Sequence, residues 1–340
     1  MRLVRQKEKN ATTRHESAGP GSGRGRGFGG HRSVRAVLVA LLIATVGSGC
    51  AAGEGERAGG AGHGERPAAG NPGAPAVPAH PGGPGRRADA PGTGRENAKP
   101  APAVRAALAE KWGLDKPPLI APEPPAVKPR ITTREGFEVE GGDDSLPPVF
   151  TTVPTEERIV FLTIDDGAEK DPELLRMMDE LDIPYSAFLS DYEVSDNYGY
   201  FGEARRRGVA LNNHTLNHPY LPGLSYAEQE REICGQQKVI REQYGKQPAL
   251  FRPPYGNYNR DTLRVAKSCG IKAVPLWNAE AFPDHMEWRE DDQDLHPGDI
   301  ILTHFRGRSE WGGSMTDLVR AVMKVVTDKG YAVARLEDYV

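Results

Sequence analysis

From residue 158 onward, short apolar runs alternate with segments whose apolar residues recur at helical spacing. The first run, residues 159–164, is apolar apart from Thr163, as expected of a strand that is buried on both faces. The segment that follows begins with Asp171 and Pro172, which are typical of a helix N-terminus. This alternation predicts an α/β fold with a parallel sheet covered by helices, and it fits both a barrel and a doubly wound sheet.

The alternation continues to the end of the chain. Predicted strands cover residues 185–189, 209–212, 249–251, 271–276, 300–302 and 331–334. Predicted helices cover about residues 200–207, 226–244, 261–269 and 316–328, in addition to the helix that begins near Asp171. The α/β region, residues 157–340, has about 185 residues and is large enough for one complete hydrophobic core.

The chain before residue 157 follows a different pattern. In residues 51–100, 33 of 50 positions are Gly, Pro or Ala, and Val77 is the only large aliphatic residue. Such a segment buries too little apolar surface to offset the entropy lost on ordering, so we predict a disordered N-terminal region in which residues 51–104 are a tether. Residues 105–156 contain six prolines between positions 117 and 129, and we predict an irregular lead-in with at most a short helix near residues 106–112.

Residues 1–50 carry the features of an export signal. A basic stretch, residues 32–35, precedes an apolar run at residues 36–46, and small residues then lead to Cys50. This order predicts a secretory signal peptide, and the run is too short for a comfortable membrane span. The end at Cys50 resembles the lipidation site of bacterial lipoproteins, although Gly47 stands where that pattern favours Leu. We therefore expect an extracytoplasmic protein, first of all a lipoprotein anchored through Cys50, with plain secretion and an uncleaved anchor as alternatives.

Charge and cysteine content limit the partners. The formal net charge is −4, but residues 1–50 carry +7, so the remainder sums to −11. An acidic body excludes nucleic acid as the partner, because binding of phosphates requires a basic surface. We expect a monomer that contacts the membrane only through its N-terminal anchor. Cys234 and Cys269 fit either a disulfide, which an extracellular location permits, or two separate buried thiols.

Polar clusters follow four of the predicted strands. Adjacent aspartates, Asp165 and Asp166, end the first strand, and His214 and His218 follow the third. The segment that begins at Arg252 follows the fourth strand, and His304 ends a late one. Because reactive groups of parallel α/β folds gather where strands end, we expect these clusters to converge if the strands share a barrel.

Together these residues form a complete hydrolytic set. One carboxylate and two imidazoles bind a metal ion and leave positions for water and substrate. A second carboxylate accepts a proton from water, and a histidine from another strand protonates the leaving amine. Each cluster alone also fits a structural role: two aspartates before Gly167 are often a turn, and histidines four residues apart are often coincidental. Thr215 stands where zinc proteases carry Glu, so that motif is absent.

The motifs and their order resemble the polysaccharide deacetylases with the NodB homology domain, carbohydrate esterase family 4. The resemblance covers residues 158–340. The family motifs Thr-Phe-Asp-Asp-Gly, His-Ser/Thr-x-x-His, Arg-x-Pro-Tyr/Phe-Gly and Leu-x-His are matched by Thr163-Ile164-Asp165-Asp166-Gly167, His214-Thr215-Leu216-Asn217-His218, Arg252-Pro253-Pro254-Tyr255-Gly256 and Leu302-Thr303-His304.

The resemblance implies a distorted (β/α) barrel with fewer than eight strands and a role for each matched residue. Asp165 is then the catalytic base, oriented by Arg252, and His304 is the general acid. The backbone N–H of Tyr255 helps to stabilise the oxyanion. The implied metal ligands are Asp166, His214 and His218, a set that suits Zn²⁺ first and Co²⁺ as the alternative.

The fourth family motif is altered. Family members usually carry Asp-x-x-Asp-Trp, whereas this chain has residues 277–288 in the corresponding stretch, where Glu280, Asp284 or Glu287 are equal candidates for the missing carboxylate. The resemblance implies an exported enzyme that hydrolyses N-acetyl groups of a cell-wall or extracellular polysaccharide, such as peptidoglycan or a chitin-like amino sugar. The alternatives are an O-acetyl esterase acting on a polysaccharide such as xylan and a tethered carbohydrate-binding protein with weakened catalysis.

Overall fold

The computed structural model describes residues 100–340. The predicted signal peptide, the lipidation at Cys50 and the tether up to residue 99 lie outside the described residues. Within residues 100–340, no helix combines the length and the apolar character that are needed to cross a membrane.

Strands and helices alternate through most of the described chain. The strands are β1 Val149–Phe150, β2 Ile159–Asp166, β3 Ser186–Leu189, β4 Ala210–Asn213, β5 Val274–Pro275, β6 Ala279–Ala281, β7 Met286–Trp288, β8 Ile300–His304 and β9 Ala332–Ala334. The helices are α1 Pro102–Lys111, α2 Pro172–Glu180, α3 Asp191–Val194, α4 Tyr198–Arg206, α5 Tyr226–Tyr244, α6 Arg260–Ser268, α7 Arg308–Trp311 and α8 Met315–Asp328.

The strands form two sheets. The larger sheet has the order β4-β3-β2-β8-β6-β7, with β9 paired to the beginning of β2, and only β7 runs antiparallel to its neighbour. The smaller sheet is the parallel pair β1-β5. Isolated bridges from Asn213 to Phe251 and from Leu250 to Ala273 connect β4 with β5, and Ile300 N donates to Thr151 O beside β1. This confirms the predicted α/β fold and a distorted barrel, whose sheets are linked by single bridges rather than by a continuous ladder.

Strand β2 explains how the core is divided. All eight of its residues are buried, and their side chains alternate between two faces. Ile159 and Phe161 face the barrel interior, where they pack with residues such as Phe188. The intervening side chains, including Leu162, pack outward against the layer that contains α2 and α8. A strand covered on both faces needs a continuous apolar run, and this is the pattern seen in the sequence.

The lead-in contributes two elements to the fold: the short helix that the sequence allowed, and a strand that it did not predict. Helix α1 begins at Pro102, inside the predicted tether, since proline is favoured in the first turn of a helix. The residue after α1, Trp112, donates from Nε1 to Glu180 at 2.7 Å, which fixes the helix against α2. Strand β1 pairs with β5, so the barrel begins before residue 157.

Helix α5 is the longest described helix and has the predicted bounds. Ser225 and Glu228 form a capping box at its N-terminus, and Gly245 ends it in the left-handed conformation. A disulfide between Cys234 and Cys269 ties this helix to the end of α6, with the two Cα atoms 5.1 Å apart. The structure thus selects the disulfide from the two alternatives that the sequence left open.

Some elements are shorter than predicted, and others were not predicted. Strand β5 covers two residues of the predicted run 271–276, and residues 249–251 contribute only isolated bridges. The short helices α3 and α7 and the β6–β7 hairpin carry no strong periodic pattern, because each spans only three or four residues per element.

Candidate active site

The predicted polar clusters lie together at the carboxyl ends of the strands. Asp165 and Asp166 end β2, and His304 ends the neighbouring strand β8. His214 follows β4 directly, and Arg252 follows the bridge at Phe251. A cavity of about 320 Å³ is lined by residues from these clusters, together with aromatic side chains that include Tyr192 and Trp311.

The backbone at Asp166 allows two adjacent aspartates to reach the same cavity. Neighbouring strand residues point to opposite faces, and Asp165 follows Thr163 on the inner face. Asp166 has a φ of 74°, in the left-handed region that residues other than Gly rarely adopt. Gly167 follows with a φ of 101°, and a Cβ there would collide with the Val194 side chain. The strand therefore ends in a tight turn that presents both carboxylates to the cavity.

Asp166, His214 and His218 offer ligand atoms to a common point. Their three donor atoms lie within 4.8 Å of one another. Oδ1 of Asp166 is 3.4 Å from Nε2 of His214 and 3.5 Å from Nε2 of His218, beyond a good hydrogen bond to either. This oxygen is buried and accepts no hydrogen bond. A buried carboxylate oxygen without a donor, facing two imidazole nitrogens, fits a bound cation.

Further contacts orient the two histidines. Nδ1 of His214 lies 2.7 Å from Arg252 O, which fixes the proton on Nδ1 and leaves the lone pair of Nε2 toward Asp166. His218 N donates to Thr215 Oγ1 at 3.0 Å, so the loop is held by its own side chains. Burial, reinforced by the nearby His214, lowers the pKa of His218 to about 4, and the ring is neutral at pH 7, as a metal ligand must be.

The pKa values of Asp166 and His214 are shifted by burial and by the charges of neighbouring site residues. Burial acts to raise the pKa of Asp166, but the contact with His214 and the charges of His304 and His218 together outweigh burial and hold that pKa well below its usual range. Burial acts to lower the pKa of His214, and the carboxylates of Asp165 and Asp166 raise it on balance. The site therefore favours the ionised form of Asp166.

Arg252 holds Asp165 from inside the barrel. Its Nη1 donates to Asp165 Oδ1 at 2.7 Å and to Thr163 Oγ1 at 2.9 Å, both on the inner face of β2. Nε donates to Pro275 O at 2.9 Å, and the guanidinium lies 4.3 Å from the centre of the Phe188 ring. The arginine is fully buried, and this burial lowers its pKa despite the opposing charge of Asp165. A buried ion pair with these additional hydrogen bonds fixes the orientation of Asp165.

Glu280 is the carboxylate beside His304. Its Oε1 is 3.5 Å from Nδ1 of His304, and β6, which carries Glu280, pairs with β8. Asp284 and Glu287 instead approach His285, at 2.7 Å and 3.9 Å. The structure thus selects one of the three candidates. Burial lowers the pKa of His304.

The segment that begins at Arg252 continues into a 3-10 turn, Pro254–Gly256. Tyr255 has a φ of 61°, and its ring packs edge-on against His218 at 4.6 Å between centroids. Tyr255 is among the residues that line the cavity. Its role in stabilising an oxyanion stays a prediction.

Arg306 and Trp311 are among the cavity residues that the sequence analysis missed. Arg306 donates from Nη2 to Asp166 Oδ2 at 2.7 Å. Trp311 packs edge-on against His304, with ring centroids 5.9 Å apart, and also contacts Phe282 at 5.2 Å. The one available signal was their position within seven residues of a histidine that ends a strand.

Comparisons with known proteins bear on the family and the fold of the chain. The profile of the polysaccharide deacetylase family matches residues 152–274. An uncharacterised protein of Streptomyces coelicolor, SCO4760, is 39% identical over 195 residues, which are 57% of this chain and 78% of that protein. A peptidoglycan-N-acetylglucosamine deacetylase of Bacillus cereus is 27% identical over 187 residues, 52% of this chain and 84% of that protein. The solved structure of the Bc1960 peptidoglycan N-acetylglucosamine deacetylase has a TM-score of 0.50 at 20% identity, covering 58% of this chain and 94% of that chain, and it supports the fold.

Proposed function

Because the chain belongs to the polysaccharide deacetylase family, we propose that it is a metal-dependent hydrolase that removes N-acetyl groups from a cell-wall polysaccharide outside the cell. One observation carries this proposal. Three groups of side chains meet at one cavity. Asp165 is paired with Arg252, Asp166 faces His214 and His218, and His304 lies beside Glu280. These are the groups that hydrolysis of an amide requires.

Asp166, His214 and His218 would hold the metal ion, which we expect to be Zn²⁺ or Co²⁺ because the donors are one oxygen and two nitrogens. When bound, the ion supplies Lewis-acid chemistry: it polarises the acetyl carbonyl and makes water more acidic. Nε2 of each histidine faces Oδ1 of Asp166, so both ligand nitrogens are directed to the same point.

Asp165 is the general base in this proposal. The ion pair with Arg252 fixes Oδ1 in position. Its other oxygen, Oδ2, lies 3.7 Å from Nε2 of His214, on the side of the cavity where the ligand atoms meet. From there Asp165 takes a proton from the attacking water as the water adds to the acetyl carbonyl.

His304 is the general acid and donates a proton to the leaving amine nitrogen as the carbon–nitrogen bond breaks. Glu280 beside Nδ1 orients the ring. Trp311 and Leu302 line the same cavity and offer apolar surface beside His304 for the acetyl methyl group. We assign the backbone N–H of Tyr255 to the developing oxyanion.

Two features support action outside the cell. The sequence predicts an export signal before Cys50, and a disulfide joins Cys234 and Cys269, a bond that persists in oxidising compartments. We propose a lipid anchor at Cys50 as the membrane attachment and a monomeric enzyme as the active form. The peptidoglycan deacetylase of Bacillus cereus supports an amino-sugar polymer as the substrate class.

The decisive test is acetate release by purified protein supplied with Zn²⁺ or Co²⁺. Three polymers should be compared: N-acetylated peptidoglycan, chitin oligosaccharides and O-acetylated xylan. We expect acetate from the N-acetylated polymers, loss of activity on chelation, and recovery when metal is added back. Release from xylan alone would identify an O-acetyl esterase, and binding without release from any polymer would identify a carbohydrate-binding protein.

A further inference from the structure

The two adjacent aspartates, Asp165 and Asp166, each accept a hydrogen bond from a different arginine. Arg252 donates to Asp165 Oδ1 from inside the barrel at 2.7 Å. Arg306 donates to Asp166 Oδ2 at the same distance, from the loop after β8. The first pair was anticipated from the motifs, whereas nothing in the motifs assigns a function to Arg306.

The guanidinium of Arg306 is held on three sides. Besides the bond from Nη2 to Asp166, its Nη1 lies 3.5 Å from Glu193 on α3, and its Nε lies 3.4 Å from Glu310 on α7. Arg306 N also donates to His304 O at 2.9 Å, so its backbone is tied to the end of β8. The side chain is 22% exposed. A planar guanidinium with an acid at each nitrogen has little freedom to turn, so it is a fixed donor.

This contact distinguishes the two oxygens of Asp166. Arg306 engages Oδ2, whereas Oδ1 accepts no hydrogen bond and faces Nε2 of His214 and of His218. Rotation of the carboxylate would break the bond to Arg306 and withdraw Oδ1 from the two imidazoles. Arg306 therefore opposes the one side-chain motion that would dismantle the predicted ligand set.

We propose that Arg306 is a positioning residue: it holds Asp166 so that Oδ1 is directed to the metal ion together with the two histidines. This inference rests on the metal site of the proposed function. The alternative is that Arg306 acts on the metal ion only through its charge, because a positive charge near a cation site weakens cation binding by repulsion. Removal of Arg306 weakens metal binding if the residue positions Asp166, and strengthens it if the residue acts only through its charge.

The experiment is a measurement of Zn²⁺ and Co²⁺ dissociation constants for the purified full-length chain, by competition with a chelator. The variants are Arg306→Met, Arg306→Lys and, as matched control, Arg308→Met, since Arg308 is exposed and pairs with Asp317 outside the cavity. We expect Arg306→Met to weaken binding by about 10- to 100-fold, the usual effect of removing a residue that orients a metal ligand. Arg306→Lys keeps the charge without the planar fork and should fall between Met and wild type, whereas Arg308→Met should equal wild type.

A further variant covers the case in which Arg306→Met does not fold, as judged by thermal unfolding of the metal-free protein. Glu310→Gln loosens Arg306 from the α7 side without removing it, and we expect a few-fold weaker binding. Unchanged or tighter binding by Arg306→Met and Arg306→Lys would overturn the inference, as would unchanged binding by Glu310→Gln if neither Arg306 variant folds. The proposed metal site itself is tested separately by Asp166→Asn: if wild type and Asp166→Asn bind metal equally, that site is refuted, and the role of Arg306 with it.

Discussion

Asp165 on β2 lies in register with His304 on β8, so the proposed base and acid stand at the ends of two hydrogen-bonded parallel strands. Each has its own supporting residue: Arg252 is 2.7 Å from Asp165, and Glu280 is 3.5 Å from His304. The supporting residues come from different parts of the barrel. Base, acid and metal ligands can therefore be tested one at a time.

Replacement of Asp165 and replacement of Asp166 should have different effects on metal binding and on kcat. Asp165→Asn keeps the shape of the side chain but removes the base, so we expect metal to stay bound while kcat falls by about 10²- to 10⁴-fold. Asp166→Asn removes a charged ligand and should lose both metal and activity. Metal analysis of both proteins, alongside acetate release, is the measurement. Loss of metal by Asp165→Asn with retention by Asp166→Asn would mean that the roles are reversed.

Glu280→Gln should affect the acid without affecting the metal. Glu280 is beside His304 and is not among the three predicted ligands, so the metal dissociation constant should not change. Loss of the negative charge disfavours the imidazolium and lowers the pKa of His304 further. We expect kcat to fall by about 10- to 100-fold, less than for complete loss of a general acid, and the alkaline limb of the pH–rate profile to move to lower pH. A matched change at the exposed Asp284 should leave both the rate and the profile as in wild type, and an unchanged profile for Glu280→Gln would exclude its assignment to His304.

The disulfide should contribute to stability rather than to chemistry. It closes a loop of 35 residues between Cys234 and Cys269, and cross-links of this kind typically contribute about 2–4 kcal/mol to the free energy of unfolding. We expect the double variant Cys234→Ser/Cys269→Ser to be destabilised by that amount, as measured by denaturant unfolding. Reductant should destabilise wild type to the same level and leave the double variant unchanged. Equal stability of the oxidised and reduced wild type would contradict this prediction.

Asp317 at the start of α8 should make stability dependent on pH. Hydrogen bonds from Ser314 hold the pKa of this carboxyl well below its ordinary value, with a further contribution from Arg320. Because the folded-state pKa is the lower one, the carboxylate stabilises the fold above the unfolded-state pKa of about 4, and this contribution is lost as the pH falls toward the folded value. We expect Asp317→Asn to cost about 1 kcal/mol at pH 7, as for other capping residues, and the difference from wild type to shrink below pH 4. A difference in thermal stability that is the same at pH 7 and at pH 3 would show that the ionised form contributes nothing.

Several features follow from the sequence because they depend on local patterns. The apolar run of β2 identifies a strand covered on both faces, and the long helix predicted at residues 226–244 coincides with α5. The positions of these polar residues at strand ends predict that they lie close together. In the structure one cavity is lined by Asp165, Asp166, His214, His218 and His304, and Arg252 donates to Asp165 from inside the barrel. A motif records which residue types are present and in what order, and this information is sufficient for the family and for the candidate ligands.

Other features were decided only by the tertiary structure, because they join residues far apart in the chain. The lead-in contributes β1 through its pairing with β5, more than 120 residues later, and no local pattern encodes that partner. Glu280 is distinguished from Asp284 and Glu287 only because β6 pairs with β8, which brings this one carboxylate to His304. Arg306 approaches Asp166 only because Asp166 ends its strand with a positive φ and the loop after β8 turns back over it. Sequence spacing reports the order of side chains along the chain, whereas the direction in which each points depends on backbone turns and on strand pairing that only the folded chain defines.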